Sequence, residues 1–527
     1  MTHIKEISVL ADVPRHYGRT RPDDVALVFD DYAMTYKIFD TRTNQVSNGI
    51  FEAGVQPKRR VGFIGKNSDT YFEILYGCAK SNTVMVPINW RLAPPELEYI
   101  LNDAEIELLF VASDCFDLIK PIKANLTTVR KIVALNGTFE DWENYEDWRD
   151  RATSVDHNTP VDRDDIAVQM YTSGTTGRPK GAMLSNFGLL AVFEKTDPGS
   201  AGDWNDWSLN DVNLITTPIF HIAGTGWGHY SLYNGATSVI LPEFDPERIL
   251  EAIEKYGVTK IALVPAALQT ILQSPRSRET DFSSLKYLCY GASPIQLEVL
   301  REALDIFRCS FVQLYGMTEM SGAIAYVPPE DHQIDGNSRM RSAGKPLPGI
   351  ELCILDQEGQ KLGPNQIGEI CVIGPAVMKG YWKLPEDTAK TMREDGWLCT
   401  GDAGFIDEDG YVFVHDRIKD MIVSGAENVY PAEVEIAIYE HPAVEEVAVI
   451  GIPSERWGEE VKAIVVLKEG EDITQEDIIR YTRERIAGYK VPKSVDFINK
   501  LPRNPSGKIM KQELRSPFWK DHNRMVN

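Results

Sequence analysis

The sequence predicts an α/β protein built on parallel sheets, with a large N-terminal part, a β-rich stretch and a small C-terminal domain. Short apolar runs alternate with helical segments over the first 140 residues, and the texture shifts to closely spaced strands past about residue 340. A length of 527 residues also exceeds what one small core organises, so several domain-sized units are expected.

The elements follow in order. Val25–Phe29 has the apolar run of a strand, and Thr35 to Ala53 has the period of a helix. Strand Arg60–Ile64, helix Thr70–Lys80 and strand Val84–Pro87 come next, then helix Pro95–Leu101 and strand Leu108–Val111. Strands bounded by helices at this spacing imply βαβ units, and the rhythm returns at 212–217, 236–241 and 259–264. The N-terminal part is therefore expected to hold two α/β layers with parallel sheets. Glu351–Leu355, Gly368–Ile373 and Tyr411–Val414 are short strands between Gly, Asp and Pro turns, which predicts a small β-rich subdomain. Beyond it come helix Pro431–Glu440 and strands near 445–451 and 461–467. Thr474 with Asp477 three residues on would cap a helix running to about Ile486. The domain boundary is placed at 416–420, giving domains 1–416 and 417–527.

Composition narrows the partners. With 55 basic and 78 acidic residues the formal charge is −23, which disfavours a nucleic-acid backbone or an anionic membrane surface. No apolar stretch approaches the ~18 residues of a membrane span. The seven cysteines (78, 115, 289, 309, 353, 371, 399) contain no CxxC pair and read as reduced thiols without a zinc site. With no signal-like N-terminal run and no retention or peroxisomal address, the expected location is cytoplasmic.

The most informative segment is Tyr171-Thr172-Ser173-Gly174-Thr175-Thr176-Gly177-Arg178-Pro179-Lys180-Gly181. Glycines admit a phosphate close to the backbone, hydroxyls and amides donate to it, and Lys180 adds a flexible charge. It is not a Walker A loop, because Gly181 stands where Ser or Thr would follow the lysine. A flexible Gly/Thr surface turn is the plain alternative. Further segments follow in fixed order: Gly291-Ala292-Ser293, Tyr315-Gly316-Met317-Thr318-Glu319, Thr400-Gly401-Asp402, Asp416-Arg417-Ile418-Lys419-Asp420 and Pro502-Arg503-Asn504-Pro505-Ser506-Gly507-Lys508.

Together these segments resemble the adenylate-forming superfamily of acyl- and aryl-CoA synthetases, carrier-protein adenylation domains and firefly-type luciferases. The resemblance runs from about residue 20 to 515. It implies two-step activation of a carboxylate by ATP and Mg²⁺. The acid attacks the α-phosphate to give an acyl-adenylate and pyrophosphate, then a thiol, CoA for the synthetases, takes the acyl group and AMP leaves. It also implies that the C-terminal domain is a mobile lid carrying the catalytic lysine.

The resemblance gives residues their roles. Lys508 matches the catalytic lysine that bridges carboxylate and α-phosphate oxygens; alone, it would be a solvated surface charge. Glu319 matches the magnesium ligand, Thr318 an α-phosphate contact and Tyr315 an adenine neighbour; a salt-bridged Glu and a buried Tyr are the alternatives. Thr172, Ser173, Gly174, Thr175, Thr176, Gly177 and Lys180 would hold phosphate, and Gly291, Ala292, Ser293, Gly316 and Met317 would flank the base. Asp402 would hold the ribose, and Arg417 would reach the same sugar or the phosphate. Lys419 stands at the hinge. Ser424, Gly425, Ala426 and Glu427 would meet the CoA arm, with Trp457 stacking its adenine, unless that Trp simply packs under a loop.

The acyl site is the least determined. His221 in Phe220-His221-Ile222-Ala223-Gly224 matches a residue beside the carboxylate, although a core histidine is the alternative. Gly226, Trp227, Tyr290 and Ala323 are expected to shape the pocket, and no Arg or Lys is placed to hold a second carboxylate. The favoured substrate is a hydrophobic monocarboxylate, with medium- or long-chain fatty acids first and aromatic or alicyclic acids next. Loading a carrier protein in trans and a non-catalytic nucleotide-binding protein are the rival readings, and a homodimer is compatible with any of them.

Overall fold

A computed structural model describes residues 4, 6–139, 141–172, 178–195, 203–293, 295–417, 420–424, 427–454, 456–503 and 509–520. The chain divides into two compact units, 1–351 with 372–398, and 352–371 with 399–527. The expected boundary at 416/417 coincides with the end of strand Val412–Arg417, within the second unit.

Two sheets organise the first unit. One has seven strands in the order Glu143–Asn144, Lys131–Leu135, Ile106–Ala112, Arg60–Ile64, Val84–Ile88, Ile166–Thr172 and Lys180–Ser185. All neighbours are parallel except the last pair. Strands Arg60–Ile64, Val84–Ile88 and Ile106–Ala112 are buried along their whole length, which is why they read as apolar runs interrupted only by Arg60 and Glu107. Helix Asp69–Ser81 between the first two of these starts where Ser68 accepts from Tyr71 N and stops at Asn82 in the left-handed region.

The other sheet has nine strands. From one edge to the other they are Lys345–Pro346, Gly322–Val327, Ser310–Met317, Tyr287–Gly291, Lys260–Leu263, Val212–Ile215, Thr237–Ile240, Val25–Phe29 and Tyr32–Thr35. Its centre is parallel and both edges are antiparallel. Val25–Phe29 therefore leaves the group of strands that follows it in sequence and pairs with Thr237–Ile240. Buried bonds from Tyr17 Oη to Tyr233 O and Tyr36 Oη to Ala236 O fix that choice. Hydrophobic period identifies a strand but not its partner.

The second unit contains a four-stranded sheet of Glu351–Leu355, Gly368–Ile373, Leu398–Ile406 and Val412–Arg417. A five-stranded sheet of Glu427–Val429, Ile422–Ser424, Gly458–Leu467, Val444–Ser454 and Ser494–Phe497 follows. Its core gathers Ile422, Val434, Ile438, Val449, Val461 and Ile478. The Thr474–Asp477 capping box is present, and the helix spans Gln475–Arg483, three residues short of the expected Ile486. The α/β class with a separate C-terminal domain is what the sequence predicted. Among the described residues no helix is long and apolar enough to cross a membrane.

Candidate active site

The nine-stranded sheet positions one half of the site. Tyr287–Gly291 and Ser310–Met317 are parallel neighbours, with Gly291 opposite Leu314, so their C-terminal ends open on one edge. Gly291-Ala292-Ser293 and Tyr315 to Glu319 therefore lie side by side, at the edge where open α/β sheets bind ligands. The backbones approach so closely that a Cβ on Gly291 would meet Leu314 O at 2.1 Å, and one on Gly316 would meet Gly322 O at 2.1 Å. Ala292 adopts φ 69°, a left-handed conformation that a non-glycine residue takes only when its surroundings hold it there.

Glu319 sits in the short helical turn after that strand and is only 8% exposed. Its Oε1 accepts from Tyr381 Oη at 2.8 Å and from Thr172 Oγ1 at 3.4 Å. Among the described residues no donor meets Oε2, which leaves one hard carboxylate oxygen of the kind Mg²⁺ takes. Burial raises the Tyr381 phenol, and the Glu319 charge raises it further, so it stays a donor at neutral pH.

Thr172 and Lys180 face each other across the antiparallel pair Ile166–Thr172 and Lys180–Ser185, at the loop end of that hairpin. Lys180 Nζ pairs with Asp387 Oδ2 at 2.9 Å and lies 5.3 Å from the centre of the Tyr381 ring. The hydrogen bond from Lys180 holds the Asp387 carboxyl below its ordinary range. Ser173, Gly174, Thr175, Thr176 and Gly177 lie outside the described residues. Tyr381 and Asp387 escaped the sequence reading. The only local cue was Lys379-Gly380-Tyr381-Trp382, whose glycine has φ 121°.

His221 caps helix Ile222–Tyr233, and its buried Nε2 has no hydrogen-bond partner. Burial lowers its pKa to about 4, helped by the Arg91 charge, so the ring is neutral at physiological pH. Arg91 lies with its guanidinium 5.8 Å from the centre of the Phe220 ring. Arg91 is exposed.

Gly224 is packed so tightly that a Cβ would meet Pro218 O at 2.4 Å, whereas a Cβ on buried Gly226 would meet nothing within 4 Å. Ala323 lines a small cavity with Gly188, Ala191, Val192, Tyr230 and Met320. Trp227 is buried edge-on to Trp207, their ring centres 5.4 Å apart. Tyr290 belongs to the apolar core of the nine-stranded sheet, with its hydroxyl 3.0 Å from His332 Nε2. His332 Nδ1 lies 2.9 Å from Pro328 O, so Nδ1 donates there and Nε2 accepts from Tyr290.

The second unit carries the other expected residues. Asp402 and Arg417 are direct partners in the backbone register of two antiparallel strands. Asp402 is 8% exposed and follows a turn in which Gly401 N donates to Glu369 Oε1 at 3.0 Å. Ser424 pairs with Glu427 on one side and with Gly458 on the other, so Ser424 lies beside the segment that carries Trp457. Trp457 is 41% exposed, with the Arg456 guanidinium 4.6 Å from its ring centre. Lys419, Gly425, Ala426 and Lys508 lie outside the described residues, while Arg503 and Ile509 form a β-bridge on either side of the last.

This geometry agrees with what the chain is similar to. The model of the AMP-binding enzyme family matches residues 15–382, and that of the AMP-binding enzyme C-terminal domain matches residues 433–508. The chain belongs to the AMP-binding enzymes. Within that family, a fatty acid–[acyl-carrier-protein] ligase, ScoC, of Streptomyces coeruleorubidus is 40% identical over 100% of this chain and 99% of its own. A feruloyl-CoA synthase of Amycolatopsis sp. is 38% identical over 97% of this chain and 99% of its own. The ATP-bound crystal structure of MatB from Rhodopseudomonas palustris superposes with a TM-score of 0.87 at 31% identity, covering 98% of this chain and 99% of that one. The AMP-binding enzyme described here is an AMP-forming acid–thiol ligase of the acyl-CoA synthetase group, and ATP is its nucleotide.

Proposed function

We propose that this ligase activates a hydrophobic monocarboxylic acid, a medium- or long-chain fatty acid in the first place, and transfers it to CoA. The observation that carries the substrate class is Gly226, a buried helical position whose missing side chain opens onto empty space. Gly226 is buried and helical, so neither a turn nor a close approach calls for a glycine there, which supports use of the space by an occupant. The small cavity lined by Gly188, Ala191, Val192, Met320 and Ala323 carries no charged side chain.

In this reading Glu319 holds Mg²⁺ through its open Oε2 while Tyr381 and Thr172 fix Oε1. Bound Mg²⁺ would neutralise phosphate charge as the acid attacks. Lys180 exchanges its Asp387 partner for a phosphate, and Thr318 contacts the α-phosphate. Neutral His221 accepts a hydrogen bond beside the carboxylate and adds no charge there. Asp402 holds the ribose, and Arg417, its partner in the strand register, reaches the same sugar or the phosphate. Lys508 stabilises charge at the α-phosphate in the first step, and the C-terminal part turns about Lys419 so that Ser424 to Glu427 meets the thiol arm in the second.

A second reading rests on ScoC, whose name gives a carrier protein as the acceptor. The exposed Trp457 with Arg456 favours CoA, because a stacking ring beside a cation suits a nucleotide. The test is pyrophosphate release from ATP and Mg²⁺ across fatty acids of several lengths, cinnamates, benzoates and alicyclic acids. Each acid is run without acceptor, with CoA and with a pantetheinylated carrier protein. Fastest turnover with a fatty acid and CoA is expected. Preference for an aromatic acid would overturn the substrate class, and turnover with the carrier alone would overturn the acceptor.

A further inference from the structure

Among the described residues, Glu369, Cys371 and Cys399 form a group whose ligand-type atoms all lie within 4.8 Å of one another. Cys371 stands on strand Gly368–Ile373 and Cys399 on its neighbour Leu398–Ile406, with the two Sγ atoms 3.0 Å apart. No cysteine of the chain is in a disulfide. A metal fits this group poorly. The sulfurs are closer than two thiolates sharing one tetrahedral zinc at about 2.3 Å each, and Glu369 Oε1 already accepts from Gly401 N. The separation instead suits a bond between the sulfurs.

We infer that Cys371 and Cys399 are a reversible thiol–disulfide pair, oxidised by peroxide, that is built into the strand presenting Asp402. Cys399 is half-buried and Cys371 fully buried, so Cys399 is the sulfur a peroxide reaches. Its thiolate attacks one peroxide oxygen and expels hydroxide, which leaves as water, giving a sulfenic acid. The Cys371 thiol then attacks that sulfur and releases a second water. Two thiols lose two electrons and two protons, and one hydrogen peroxide becomes two waters. The Cys371 thiol holds its proton well above the ordinary thiol range, first because it shares a hydrogen bond with Cys399 and then because it is buried. That favours Cys399 as the partner that ionises.

The pair is coupled to the expected ribose site through its neighbours. Thr400, next to Cys399, donates through Oγ1 to Ile370 O at 2.8 Å, beside Cys371, and the same Oγ1 accepts from Asp402 N at 3.1 Å. Bonding the sulfurs draws them together by about 1 Å and moves the turn that carries Asp402. Oxidation is therefore expected to raise the KM for ATP. This consequence rests on Asp402 holding the ribose, whereas formation of the disulfide does not.

The experiment treats the full chain with hydrogen peroxide, blocks remaining thiols and maps peptides by mass, with and without dithiothreitol. A linked Cys371–Cys399 peptide that dithiothreitol removes is expected, absent in both C371S and C399S and kept in C353S. The KM for ATP is expected to rise about tenfold on oxidation of the unmodified chain and to stay constant in C399S. A linked peptide with an unchanged KM would overturn only the coupling to ATP. Cys399 carried to the sulfinic acid with no linked peptide would overturn the pair itself. So would stoichiometric zinc that shields both thiols in the protein as purified.

Discussion

The Tyr381 hydroxyl donates to Glu319 Oε1 at 2.8 Å across 62 residues of sequence, and with Thr172 on the same oxygen it turns the other carboxylate oxygen outward. A carboxylate held this way meets a hard cation without first losing rotational freedom. Partners that orient a ligand commonly matter nearly as much as the ligand itself.

Tyr381→Phe removes that donor and little volume. Adenylate formation is expected to fall about 10- to 100-fold at fixed Mg²⁺. The apparent Mg²⁺ requirement should rise, with about 1 kcal/mol lost in stability because a buried carboxylate oxygen keeps one donor instead of two. Pyrophosphate release titrated with Mg²⁺ checks this. An unchanged Mg²⁺ dependence would mean that Glu319 does not meet the metal.

Gly226→Ala separates packing from substrate. The position is helical and a Cβ there meets nothing within 4 Å, so the variant should gain roughly 0.5–1 kcal/mol in denaturant unfolding. If the space belongs to the acyl group, the KM for the preferred bulky acid rises while that for acetate or butyrate stays put. Equal effects on every acid would move the acyl pocket elsewhere.

Lys508→Ala is expected to lower pyrophosphate release at least about 100-fold while leaving ATP binding largely intact, because the loss falls on charge developing in the transition state. Isothermal titration with ATP beside the pyrophosphate assay reads both quantities. Activity within a factor of two of the unmodified enzyme would remove the lysine from the mechanism.

The three histidines most removed from water give a pH signature. Burial lowers His221 and His332 to about 4 and His229 to about 3. Each therefore contributes stability that is complete above the ordinary histidine pKa near 6.5 and is lost as pH falls toward its folded value. Asp69 acts in the opposite sense. Burial raises it to about 6, so its contribution is present below the ordinary aspartate range and lost as pH rises through 6. Three groups against one leave the unfolded chain binding more protons between pH 6.5 and 4.5. The unfolding free energy read from urea titrations should fall across that window, by on the order of 1–3 kcal/mol per pH unit, and the midpoint with it. A midpoint that rises on acidification would contradict the buried neutral rings.

The sequence disclosed strands wherever a run was wholly buried, as at Arg60–Ile64, and it singled out Glu319 and Asp402 as candidates because each closes a compact local motif. It did not disclose that Val25–Phe29 crosses to the second sheet, since that pairing depends on tyrosine hydroxyls reaching backbone carbonyls some 200 residues away. Tyr381 and Asp387 were hidden for the same reason. Each acts through one long-range bond, to Glu319 and to Lys180, and neither bond leaves a period or a spacing in the chain. Tyr290 shows the converse, where a residue next to a motif serves the core and points its hydroxyl at His332.

Trp457→Ala decides between the two acceptors. The ring is 41% exposed, stands beside the Arg456 guanidinium, and belongs to a segment that lies beside Ser424. Stacking of a base on an aromatic ring is worth about 1–3 kcal/mol, so loss of the ring should raise the KM for CoA roughly 5- to 100-fold. The first half-reaction, measured as pyrophosphate release without acceptor, should not change, because no step before the thiol arrives uses this ring. A pantetheinylated carrier protein has no adenine to stack, so its turnover should be insensitive to the substitution. If CoA turnover is equally insensitive, Trp457 is an ordinary surface ring and the case for CoA over a carrier protein falls with it.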